Sequence, residues 1–155
     1  MNNNEITTEI LHKEIDLIQS CISRMAKNSF LIKGWFISLV AVILALLPKK
    51  IDMWLVLSIV LVITLSFWYL DAFFLRTEKL YRKLYDWTIS ERAKNNKENL
   101  YDLNPHRFDE KVDSISRTMF SPTLRYFYLF PVILTLILVN LPNIINFLLT
   151  LCKKI

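Results

Sequence analysis

Glycine occurs once in 155 residues. A chain this poor in glycine has no phosphate-cradling loop of the P-loop kind and no dinucleotide fingerprint, because both need several glycines within a few positions. Cysteine and histidine are nearly as scarce, at two each. Cys21 and Cys152 lie in different surroundings, and His12 and His106 stand alone in polar stretches. Zinc requires several Cys or His ligands at short spacing, so no metal site is expected, and no disulfide is implied. A nucleophile–histidine pair would have to recruit one of the two isolated histidines. No arginine precedes either histidine by four to six residues, the spacing of one class of ribonuclease site. Asp109 and Glu110 read as solvated acids on a helix surface. The chain is therefore not expected to be an enzyme or to carry a cofactor.

A one-sided charge is also lacking. Lys and Arg total 19 against 14 Asp and Glu, and the stretch 71–125 mixes 11 bases with 9 acids. That mixture is unlike a nucleic-acid groove, so no direct nucleic-acid binding is expected.

What the chain has is apolar surface. It is 54% hydrophobic with a mean hydropathy of +0.34, yet 21% of its residues are charged. Polar and apolar residues must then be segregated along it. Three stretches have the ~20-residue apolar length that a bilayer core of ~30 Å demands: 30–48, 53–75 and 124–152. Residues 1–27 are polar and do not read as a signal peptide. The expectation is an all-α integral membrane protein in four parts. These are an amphipathic helix over 1–29, a transmembrane hairpin over 30–74, helices and a connector over 75–123, and a third, kinked transmembrane segment over 124–155.

In the first part Leu11, Ile15, Ile18, Ile22 and Met25 follow one another at heptad-like spacing. Glu9, Lys13, Glu14, Asp16 and Arg24 fall off that seam. The second helix is expected to continue without a break over 75–94, where Leu80, Leu84 and Trp87 keep the same period and Glu78 and Arg82 form a favourable i,i+4 pair. These seams suit packing within the chain or between identical subunits; an interfacial anchor is a third use of the first.

Lys33 and Trp35 suit the membrane surface, where a lysine stem lies along apolar atoms and an indole sits in the aromatic belt. Gly34 between them serves either a close approach of another helix or a hinge. Pro48 ends the first span, Lys49–Lys50 form the turn and Asp52 caps the next helix. The short turn forces an antiparallel hairpin, which returns Asp71 to the depth of Asn28–Lys33 and makes a Lys33–Asp71 contact available. Trp68 and Tyr69 mark the far interface. Asn104-Pro105 and Ser121-Pro122 read as helix starts, the first opening a short helix with Phe108, Val112, Ile115 and Met119 on one face. In the third segment Pro131 and Pro142 predict kinks. Thr135, Asn143, Asn146 and Thr150 form a polar strip there, suited to interhelical hydrogen bonds or to lining a water-filled path. Segments 1–33 and 71–125 hold 15 of the 19 basic residues, which predicts that both face the cytoplasm.

The stretches "RMAKNSFLIKGW" (24–35) and "FWYLDAFFLRTEKLYRKLYD" (67–86) resemble a widespread group of small bacterial membrane proteins. In architecture the chain is similar to the SLATT-type membrane effectors of antiviral systems and to the membrane accessory protein of type VI CRISPR loci. The matching motif positions are Asn28, Lys33, Gly34, Trp35, Asp71, Arg82 and Asp86. The resemblance implies a homo-oligomer in the bacterial inner membrane that disturbs the membrane during phage infection, with a defence-system protein as a possible partner. Some accessory proteins of that CRISPR type are thought to carry an RNA-cleaving helical domain; the missing arginine–histidine spacing argues against that role here. A pore or permeability effector is the resulting expectation. Its alternative is a non-conducting scaffold or sensor that recruits a soluble partner through its cytoplasmic helices.

Overall fold

No proline or glycine interrupts residues 53–93, and residues 8–45 contain only Gly34. Both stretches form single helices. The computed structural model describes residues 8–46 and 53–152, with side chains described as far as Leu141. Within it α1 spans Thr8–Ala45 and α2 spans Met53–Ala93. At 1.5 Å per residue they are about 57 and 62 Å long. The expected junction near residue 29 is not a break in α1, and α2 runs on from the second span as expected: each apolar stretch and its polar neighbour make one continuous rod. Gly34 is no hinge, and a lone glycine costs a long helix little. The turn at Pro48–Asp52 lies outside the described residues.

α1 and α2 run antiparallel. Beyond α2 a connector leads to a 3₁₀ helix, Pro105–Lys111, started by Asn104, whose side chain accepts from the His106 amide. The expected single short helix is split here, with the 3₁₀ turn followed by α3, Ile115–Met119, capped by Ser114. α4 spans Pro122–Cys152 and remains helical through Pro131 and Pro142. Every element among the described residues is helical.

Two cores hold the helices together. In the apolar half Phe36 and Val40 of α1 meet Trp68 and Ala72 of α2 and Leu124 and Tyr128 of α4. In the polar half Ile18 packs on Leu80, Leu84 and Phe108. The heptad seams are thus spent within the chain. Ile18, Leu80 and Leu84 are fully buried, while Leu11, Ile15, Ile22, Met25 and Trp87 are half-buried beside them. As a seam between subunits this set is corrected: its innermost members already have partners on the neighbouring helix. The buried line on α1 is also rotated slightly, running Glu14, Ile18, Cys21, Ser29, Phe36 and Val40.

α2 ends without glycine. Asn95 takes the left-handed conformation (φ 58°), the Asn95 amide donates to the Arg92 carbonyl and the Asn96 amide to the Glu91 carbonyl. This is a Schellman-type cap in which asparagine fills the usual glycine position.

α1 and α2 each contain a segment long and apolar enough to cross a membrane, and the rest of the chain buries 17% and 39% of those segments. Most residues of those segments thus keep some apolar surface exposed, which is compatible with membrane spans. The described apolar part of α4, Pro122–Leu138, is shorter.

Candidate functional site

The continuous rods set the site. Because α1 and α2 are antiparallel, Ser29 and Lys33, one turn apart on α1, face Asp71 on α2, and α4 brings Tyr128 to the same carboxylate. Lys33 Nζ lies 2.6 Å from Asp71 Oδ2 and donates to Oδ1 at 2.8 Å. The Ser29 hydroxyl donates to Oδ1 at 2.5 Å, and Lys33 Nζ also donates to Ser29 Oγ at 2.8 Å. The Tyr128 hydroxyl donates to Oδ2 at 3.0 Å. Asp71 is fully buried, and the Lys33 side chain keeps 25% of its surface exposed. A buried carboxylate is stable only when its charge is matched and its lone pairs are engaged. Here one ammonium and two hydroxyls from two further helices do both.

Aromatic packing closes the cluster. Tyr128 meets Phe36 at 4.9 Å between ring centroids and stacks on Trp68 at 5.9 Å. The Trp68 indole N–H donates to the Met119 carbonyl at the end of α3 (2.8 Å). Trp68 is therefore a buried core residue and not the interface ring expected from the sequence; Tyr69 beside it is exposed. The indole is turned inward because the last carbonyls of a short helix need a donor.

Of the seven motif residues, Lys33 and Asp71 are joined across helices by an ion pair. Asn28 is half-buried and makes no hydrogen bond to Asp71. Gly34 lies on the outer face, where an added Cβ would meet nothing within 4 Å, and Trp35 is 71% exposed. The close approach expected at Gly34 therefore has no partner within the chain. Arg82 pairs with Glu78 at 2.7 Å, as the i,i+4 spacing implies. Together with Asp86 it borders a polar groove of about 490 Å³ that also touches Gln19, Ile22, Ser23 and Tyr85. Arg82 stands 11 residues along α2 from Asp71, about 16 Å away.

Of the polar strip, Thr135 is 1% exposed and its hydroxyl donates to the Pro131 carbonyl one turn earlier (2.8 Å). As a pore-lining residue it is corrected: a threonine in an apolar helix satisfies itself on the preceding turn, and this one points into the chain's own packing. Asn143, Asn146 and Thr150 have side chains outside those described.

A second buried ion pair went unread in the sequence. Glu14 and Arg92 form a two-pronged bridge at 2.8 and 2.9 Å. The Tyr101 amide donates to Glu14 Oε1 (2.9 Å), and Arg92 Nη1 donates to the carbonyls of Asn96 and Glu98. The pair ties α1 to the loop after α2, where Asn95, Asn99 and Tyr101 all have positive φ. Burial pushes the Glu14 carboxyl up, but the hydrogen bonds from Arg92 and Tyr101 outweigh it and hold the group below its ordinary range. Arg92 is raised above its ordinary value, first by its hydrogen bond to Glu14. Trp87 is flanked by two guanidinium groups, with Arg107 at 4.9 Å and Arg92 at 5.8 Å from the ring centroid.

Among the described residues no cluster of His, Cys, Asp and Glu has the composition of a metal site. Searches of protein-family models, of curated proteins and of solved structures find no match to this chain.

Proposed function

We propose that the chain is a homo-oligomeric protein of the bacterial inner membrane whose assembly changes membrane permeability, as an effector of antiphage defence. The observation that carries the membrane reading is the uncovered apolar band on α1, α2 and α4, with a fully buried carboxylate–ammonium cluster at one edge. Lipid covers such a band, and an ionisable group retained at membrane depth despite its cost is a functional candidate. Lys33 keeps a quarter of its side chain exposed, so in a ring of copies Lys33, held by the buried Ser29 and Asp71, would give ions a polar foothold at the cytoplasmic mouth. The concentration of Lys and Arg in segments 1–33 and 71–125 supports a cytoplasmic N-terminus and cytoplasmic residues 75–123. The defence context comes from the architectural resemblance.

The test is electrical. Induced expression should depolarise cells loaded with a potential-sensitive dye, and reconstituted protein should give conductance across a planar bilayer. Conductance unchanged in both resting and infected cells would overturn the proposal.

The polar groove bordered by Arg82, Tyr85 and Asp86 favours a second reading, a non-conducting scaffold that recruits a soluble partner. Replacing Asn143 and Asn146 by leucine separates the two. A conduit lined by the polar strip should close, and a scaffold should keep working.

A further inference from the structure

α1 and α4 each pack along α2 and meet one another chiefly at Phe36, Phe127 and Tyr128. Deeper in the apolar half they diverge and leave a groove of about 670 Å³, walled by Ala41 and Leu44 on one side and Phe130 and Leu134 on the other. The Tyr126 hydroxyl is the one polar side-chain group on its wall. From Tyr126 to Leu134 the groove is about 12 Å long.

Its mouth is charged. Arg125 lies over the Tyr126 ring (5.1 Å to the centroid), with Nη2 3.4 Å from the Tyr126 hydroxyl. Among the described residues no carboxylate pairs with Arg125. Lys33, one turn from Ile37 on the groove-lining side of α1, is matched by Asp71. The mouth thus carries one guanidinium with no carboxylate partner among the described residues, above a slot that is apolar but for the Tyr126 hydroxyl.

We propose that this groove binds one acyl chain of an anionic glycerophospholipid, with Arg125 holding the phosphate. The two halves of that ligand fit two separate observations. An acyl chain fills a slot whose wall is apolar below the Tyr126 hydroxyl, and a guanidinium is the side chain best suited to phosphate oxygens. An apolar helix from a second copy would fill the slot but leave Arg125 without an anion. The inference rests on the membrane reading above.

The experiment is a lipid titration of the full chain, extracted from membranes in mild detergent and followed by native mass spectrometry. Phosphatidylglycerol should add once per chain, about fivefold more tightly than phosphatidylcholine. Arg125→Gln should abolish that preference, Arg125→Lys should restore most of it, and Ala41→Trp, which fills the slot, should remove both adducts. In the unaltered protein, phosphatidylglycerol with a photoreactive acyl chain should label residues 37–44 or 126–134. Labelling elsewhere, headgroup indifference, or undiminished binding by Ala41→Trp would overturn the proposal. So would a disulfide joining Leu134→Cys chains of two copies, which would assign the groove to a second copy. Protein that never enters membranes would overturn the membrane reading before any titration, whereas extracted protein indifferent to headgroup charge overturns only the lipid site.

Discussion

Asp71 is the residue on which three helices converge, and each of its partners can be removed separately. Tyr128→Phe deletes one hydrogen bond to a charged group and should cost about 1.5 kcal/mol. Asp71→Leu alone leaves the Lys33 ammonium unmatched and should cost about 3 kcal/mol, while adding Lys33→Met should recover much of the loss. Thermal melts of helical circular dichroism in detergent would show the order. Glu14 makes a pH prediction. Its folded carboxyl titrates below the ordinary 4.5, so the stability it contributes is complete above that value and is lost as pH falls through the lower, folded one. Melting temperature should drop from about pH 4.5 downward, and Glu14→Gln should remove that part of the drop. The Lys33–Asp71 contact was legible because a short hairpin turn fixes which residues share a depth. Tyr128 was not, since nothing in a sequence says where a third helix docks. Glu14 read as surface because the heptad template sets the buried line one residue away from the true one. Its partner offered a fainter clue in the straight i+4 ladder Leu80, Leu84, Thr88, Arg92.

At the scale of elements, helix existence was legible and so was the continuity of α2, whereas the continuity of α1 was not. Hydropathy changes sign near residues 29 and 74, but backbone hydrogen bonding does not depend on hydropathy, and no proline stands at either place to stop the helix. Gly34 illustrates the difference. With helical backbone on both sides and open space at its Cβ, Gly34→Ala should raise the melting temperature, by roughly 0.5–1 kcal/mol of stability. A variant that is more stable as a protomer but fails to oligomerise on native gels would show that the glycine serves contacts between copies. Trp68→Phe keeps an aromatic ring beside Tyr128 and loses the bond to Met119. Hydrogen exchange over residues 115–121 should quicken, with a loss of about 1 kcal/mol. The starts at Asn104-Pro105 and Ser121-Pro122 were readable, because proline at the first helical position is a local signal; Asn104 also caps its helix with its side chain, which Ser121 does not.

For the whole molecule the decisive quantity is apolar area without cover. Phe30, Trp35, Leu46, Trp54, Val62 and Phe130 all stand more than three-fifths exposed. The chain should sediment with membranes and resist carbonate extraction. A monodisperse, detergent-free particle would sink that expectation. The all-helical class and the two long apolar helices followed from composition and run length alone, whereas the pairing of α4 with α2 did not.

The uninterrupted α2 has a mechanical consequence. A rod of about 62 Å with no soft joint acts as a lever, so a tilt of roughly 5° imposed near Arg92 would swing the far tip by about 5 Å. Whatever grips the charged end thereby has leverage on the apolar end, and α1, clamped to the rod at Glu14 and again at Ser29 and Lys33, has to travel with it.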